Sequence, residues 1–235
     1  MNIIGIDPSL ISTAVVIGND KEFKIFNYCK EDNISTKTGL KKWYKSCEQY
    51  VTYKNITYYN YDNYSNGEII KLHDYNKITD NIIIDILNNI NPNEETKIGI
   101  EGYSFASNFG DIIDLVTFST LLRSKIIDKI TNDLTIISPS SLKLESCKLT
   151  YKPINIGKKK EKLKYVNNEG ISGGSFTKRE MFMSIIENNN LNDYWSNYLK
   201  SVKEEILGNK SIPKPHEDIN DAFLLYKILK TNKLF

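Results

Sequence analysis

Four acidic side chains stand where an apolar element ends or is interrupted, positions from which a carboxylate can face a reacting group. Asp7 closes the apolar run that starts at Asn2, and Glu101 closes Ile98-Gly-Ile. Asp218 and Asp221 lie three apart in His216-Glu-Asp-Ile-Asn-Asp-Ala222, a spacing that projects both from one face of a helix. If the two strands are neighbours and the helix packs across their ends, all four carboxylates converge. Such a cluster repels itself unless cations are bound, and hard oxygen ligands suit Mg²⁺ or Mn²⁺. Two ions about 3.5–4 Å apart would activate a water and stabilise the leaving oxygen in phosphodiester hydrolysis. Taken singly, each acid has an ordinary use: Asp7 as a turn former before Pro8, Glu101 as a surface carboxylate, Asp218 as a helix N-cap.

The elements that must position these acids follow from periodicity. Asn2 to Asp7, Thr13 to Ile17 and Phe23 to Tyr28 read as three strands whose tight connections predict an antiparallel meander. From Ser35 to Asn66 the texture changes to Lys, Tyr and Asn, with Tyr50, Tyr53, Tyr58, Tyr59, Tyr61 and Tyr64 close together, and reads as an elaboration that is partly a hairpin. Ile70, Ile78, Ile82, Ile86 and Ile90 recur at helical spacing, so Glu68 to Ile90 is expected to be a helix ending near Pro92. A strand from Lys97 to Glu101, a helix from Asp111 to Ile130 and a strand from Leu134 to Ser138 follow, and Asp218 to Leu229 is expected to be the last helix. Helices and strands alternating after a meander predict α/β architecture with a mixed sheet.

Composition bounds the partners. The 235 residues are 40% hydrophobic and 26% charged, which suits one soluble domain and excludes fibrous or wholly disordered chains. The net charge of +2 announces no partner, yet it conceals a cluster: residues 143 to 164 hold eight Lys against two Glu. A lysine run is commonly a solvated loop. Three cysteines, Cys29, Cys47 and Cys147, have no metal-ligand spacing and fit reduced thiols in a reducing compartment such as a bacterial or host cytoplasm. No stretch reaches the ~18 apolar residues of a membrane span, and the start of the chain does not read as a signal peptide.

Five ordered segments resemble one family. Ile3-Ile-Gly-Ile-Asp-Pro-Ser-Leu10 is similar to the opening motif of RuvC-type Holliday junction resolvases, members of the ribonuclease H-like nucleases. Ile100-Glu-Gly-Tyr-Ser-Phe105 resembles the second motif and the helix carrying Asp218, Asp221 and Ala222 the third. Ser138-Pro-Ser-Ser-Leu-Lys143 and Ser175-Phe-Thr-Lys-Arg-Glu-Met181 resemble the strand-to-helix segment and the lysine-bearing start of the next helix. The resemblance implies a ribonuclease H-like mixed five-stranded sheet flanked by helices, in a single domain over 1–235 with insertions at about 35–66 and 144–172.

The same resemblance implies a metal-dependent endodeoxyribonuclease. Asp7, Glu101, Asp218 and Asp221 would be both catalytic residues and ligands to two Mg²⁺ or Mn²⁺ ions per site, and a homodimer would cut a four-way DNA junction by paired nicks, leaving 5′-phosphate and 3′-hydroxyl ends. Lys178 would contact phosphate or offset transition-state charge, or else be an exposed helix-start lysine. Tyr103 and Phe105 compete for a base-stacking role and could equally fill the core. Lys143 and the loop lysines Lys158, Lys159, Lys160, Lys162 and Lys164 are candidate DNA contacts. His216 precedes Asp218 by two and reads as a neighbour of the site or a loop residue. A flap, fork or single-strand nuclease of the same fold, and a DNA-binding scaffold without chemistry, are the alternatives. The Asn-, Ile- and Lys-rich usage suggests an AT-rich genome, and a large DNA virus or phage would fit.

Overall fold

The computed structural model describes residues 1–30, 38–58, 64–103, 109–155, 163–165 and 176–231. Three strands open the chain, β1 (Asn2–Asp7), β2 (Ser12–Gly18) and β3 (Phe23–Cys29). They are followed by α1 (Thr38–Ser46), β4 (Val51–Asn55), α2 (Tyr64–Leu87), β5 (Thr96–Glu101), α3 (Phe109–Lys129) and β6 (Leu134–Ile137). After α4 (Pro139–Lys148) come the short pair β7 (Ile154–Asn155) and β8 (Leu163–Lys164). Helices α5 (Lys178–Ile186), α6 (Tyr194–Ser201), α7 (Lys203–Leu207) and α8 (His216–Lys230) complete the order.

The main sheet has the order β4-β3-β2-β1-β5-β6. β1 is antiparallel to β2 and parallel to β5, β2 is antiparallel to β3, and β5 is parallel to β6. Those five strands have the order and directions expected of a ribonuclease H-like sheet. The sheet has six strands rather than five, because β4 adds to the edge beside β3 in parallel, pairing Ile25 with Val51. Over its described residues, 38–58 and 64–66, the Tyr-rich segment is therefore helix and strand rather than a hairpin. A parallel neighbour needs a crossover, and α1 supplies it by burying Trp43, Tyr44 and Cys47, apolar positions one and four apart that suit a helix.

Alternation along the strands sorts two cores. Ile3, Ala14, Val16 and Ile25 face one side and share a core with Phe182, Trp195, Leu199 and Phe223 of α5, α6 and α8. Ile4, Ile6, Val15, Ile17 and Phe26 face the other and share a core with Ile78, Ile82, Ile86, Phe118 and Leu122 of α2 and α3. β1 is buried along its whole length, which is why it reads as an unbroken apolar run rather than an alternating one. Asp7 lies on the α8 side, the side of Ile3.

The second expected insertion begins inside regular structure. α4 continues past residue 144 to Lys148 with Leu142, Ser146 and Cys147 buried. Beyond it Thr150 donates to the Ser184 carbonyl at 2.5 Å and Tyr151 to the Glu187 carboxylate at 2.7 Å. All three cysteines are free and buried. Among the described residues no helix is long and apolar enough to cross a membrane.

Candidate functional site

Two glycines bring α8 to the strand ends. β1 and β5 pair in the register Gly5 with Gly99, so the sheet has a trough two residues wide where no side chain rises. A Cβ on Gly5 would lie 2.0 Å from the Ala222 carbonyl oxygen and 2.6 Å from the Tyr226 nitrogen, so the backbone of α8 lies directly on β1. One strand period further on, Asp7 and Glu101 emerge from the same face, and Asp221, beside Ala222, arrives above them. Oxygens of Asp7, Glu101 and Asp221 all lie within 4.8 Å of one another, and all three residues are buried.

The far side of α8 is anchored as firmly. Trp195 Nε1 donates to Asn220 Oδ1 at 3.1 Å, and the Tyr198 hydroxyl meets His216 Nε2 at 2.8 Å. His216 is thus no loop residue: it opens α8, is fully buried, and stacks on Trp195 and Tyr198. Burial pushes its pKa down to about 3, so it is a neutral packing group near the site.

Electrostatics mark the cluster as unsettled. Burial, then the charges of Glu101 and Asp218 and a hydrogen bond with Glu101, push the Asp7 carboxyl well above its usual pKa, with Lys178 opposing. Two lysines offset this repulsion from different sides. Lys178, at the start of α5, bonds Asp221 Oδ2 directly and lies 3.9 Å from Glu101 Oε1. Lys214 donates to Asp218 Oδ1 at 2.7 Å. Burial works against the Lys214 ammonium, but the charge and hydrogen bond of Asp218, with Asp7 and Glu217 behind them, hold its pKa above the usual lysine value.

Asp218 therefore differs from the other three acids. It is close enough to Asp7 to raise its pKa, yet it stands outside the three-carboxylate group and has its own lysine. Its second oxygen, Oδ2, is buried with no hydrogen-bond partner among the described residues, an uncommon condition for an anionic atom unless a cation or water meets it. Three clustered carboxylates plus this oxygen form a hard, all-oxygen donor set, which fits Mg²⁺ or Mn²⁺.

The candidate DNA contacts are less gathered. Tyr103 has one ring face covered by the Arg123 guanidinium, 4.3 Å from its centroid, and its hydroxyl meets Thr120 Oγ1 at 3.1 Å. Lys143 is half-buried on α4, the helix that leaves β6 at the same sheet edge as Glu101. Phe105, Lys158, Lys159, Lys160 and Lys162 lie outside the described residues, and Lys164 is described only as backbone in β8. Two functional neighbours went unread in the sequence. Lys214 stands four residues before Asp218, a spacing that signals an ion pair only once the helix start is known. Arg123 reaches back from α3 to the Glu101 carbonyl at 3.2 Å, which no local pattern announces.

The sequence matches no protein-family model and no curated protein. Among solved structures, T. thermophilus RuvC in complex with a Holliday junction substrate aligns with 97% of this chain and 91% of its own, at 8% identity and a TM-score of 0.43.

Proposed function

We propose that this chain is a metal-dependent endodeoxyribonuclease of the ribonuclease H-like type that cuts branched DNA, four-way junctions first, as a homodimer making paired nicks. The convergence of Asp7, Glu101 and Asp221 from two adjacent parallel strand ends and one helix carries the reading of hydrolysis. The choice of a four-way junction comes from the ordered motif resemblance. Asp7, Glu101 and Asp221 would hold the first cation, and the unpartnered Asp218 oxygen would help hold a second. Divalent cations bound there supply Lewis acidity for in-line attack of water on a phosphodiester. Lys178 and Lys214 hold positive charge against the carboxylates, and the buried backbone of β1 and β5 fixes the spacing of Asp7 and Glu101. The basic stretch around Lys158, Lys159 and Lys160 would meet the phosphates of the DNA arms.

Labelled four-way junctions, flaps and linear duplexes incubated with the protein and Mg²⁺ test this directly. Symmetric nicks across the junction are expected. Asymmetric cuts confined to flaps would replace the junction with a flap substrate, and binding without metal-dependent cutting would leave a DNA-binding scaffold. Changing Lys158, Lys159, Lys160, Lys162 and Lys164 together to Gln is expected to lower the slope of log affinity against log salt by about 0.9 for each duplex phosphate no longer neutralised, with Mn²⁺ binding intact. An unchanged slope would remove these lysines from the interface.

A further inference from the structure

The position of Lys178 has no local explanation. It is the first residue of α5, whose start is already fixed by a capping box in which Thr177 and Glu180 exchange hydrogen bonds of 3.2 and 2.6 Å. A cation at a helix N-terminus opposes the helix dipole, so helix formation disfavours lysine here. What the side chain gains is across the fold: it bonds Asp221 Oδ2 and approaches Glu101 Oε1. These residues supply two of the three carboxylates that lie within 4.8 Å of one another. The ammonium therefore sits on the carboxylates that would bind the first divalent cation.

It also reaches them from the open side. The Lys178 side chain is 30% exposed, against 3% for Asp221 and 11% for Glu101, so it can swing away without disturbing the core. Lys214 is placed differently, because the carboxylate it bonds among the described residues, Asp218, stands outside the group of three.

We infer that Lys178 is the resident counter-cation of the metal-free site, that it competes with the first divalent cation for Asp221 and Glu101, and that cation entry releases its ammonium toward the solvent side from which DNA must approach. This rests on the reading of the cluster as a metal site. Carboxylates buried this close together need compensation, since each uncompensated buried charge is costly, and Lys178 supplies it to Asp221 and Glu101 until metal arrives. A site open only part of the time binds with an affinity reduced by that fraction.

Mn²⁺ binding to the full chain, followed by electron paramagnetic resonance, tests the competition in the wild type and in Lys178→Gln, Lys214→Gln and Asp7→Asn. If Lys178 occupies the carboxylates about nine tenths of the time, Lys178→Gln should bind Mn²⁺ about tenfold more tightly, and Lys214→Gln should tighten it much less. Equal tightening by both variants would reduce the effect to general field and overturn the competition, as would unchanged or weaker binding in Lys178→Gln. A second measurement needs no variant: acetic anhydride labelling read by mass spectrometry should modify Lys178 several-fold faster when Mn²⁺ is added, with Lys214 unaffected. Labelling of Lys178 that ignores Mn²⁺ overturns the release. If Mn²⁺ binds and Asp7→Asn abolishes it while both Lys178 readouts stay flat, the competition alone fails. If the wild type binds no Mn²⁺, the metal-site reading falls with it.

Discussion

Asparagine in place of Asp7 is expected to lower Mg²⁺-dependent cleavage by about three orders of magnitude or more while making the metal-free protein more stable. The first effect follows from the proposed metal site losing one of its three carboxylates, since several kcal/mol of charge stabilisation at such a site is worth about that factor in rate. The second follows from the state of the Asp7 carboxyl, which burial and the neighbouring Glu101 and Asp218 hold well above its usual pKa. A carboxyl raised in the folded state holds its proton more tightly folded than unfolded. Its contribution to stability is therefore full below the unfolded value of about 4 and is lost as pH rises through the folded value. At neutral pH the ionised or strained carboxylate opposes folding, and the amide does not. Thermal unfolding of wild type in chelator should show this decline between acid and neutral pH and Mg²⁺ should offset it, whereas Asp7→Asn should show a smaller decline, the part left by the similarly raised Glu217, and should lose the response to Mg²⁺. A destabilised Asp7→Asn protein with the wild-type pH profile would mean that the cluster is not under charge strain.

Valine at Gly5 should be more damaging to the fold than any change among the acids. A Cβ there meets main chain, the Ala222 carbonyl at 2.0 Å and the Tyr226 nitrogen at 2.6 Å, and neither can rotate aside as a side chain would. α8 would have to lift off β1, which costs about 3 kcal/mol or more, at the upper end of overpacked cores. The same lift carries Asp221 away from Asp7 and Glu101, so Mn²⁺ binding should fall even under conditions where the variant stays folded. Gly99→Ala is the informative contrast. Its added Cβ meets mainly Leu229 Cδ1 at 3.0 Å, the mobile end of a side chain, and a loss of about 1 kcal/mol is expected. Urea denaturation of both variants measures the difference, and a Gly5→Val protein as stable as Gly99→Ala would refute the direct seating of helix on strand.

How much of this was legible differs from residue to residue, for physical reasons. Asp7 and Glu101 could be placed because each ends a buried strand, and strand ends are visible as the close of an apolar run. The pair Asp218 and Asp221 could be put on one helical face, but spacing says nothing about which carboxylate a distant lysine will claim. Lys214 separates the two, and its own position depends on where α8 begins. The sixth strand was hidden because α1 and β4 are built from Trp, Tyr, Lys and Thr, residues that also populate solvated loops, and only the burial of Trp43, Tyr44 and Cys47 reveals a packed crossover. The role of Gly5 needed the register of β1 against β5, which pairs it with Gly99. A glycine read alone suggests a turn, whereas two read across a ladder make room for a helix.

The seating of α8 across β1 also sets an order in time. Among the described elements α8 is the last to be translated and β1 the first, yet the carboxylate cluster exists only when the two meet. A ribosome-bound chain that has released β1 through α5 but not α8 carries Asp7, Glu101 and Lys178 without Asp221, with the glycine trough bare. Domains generally fold as units during synthesis, and here the closing contact is also the one that assembles the charge. Until α8 docks, Asp7 and Glu101 lack Asp221 as their neighbour, so the three-carboxylate arrangement and the seating of the helix arrive in one step.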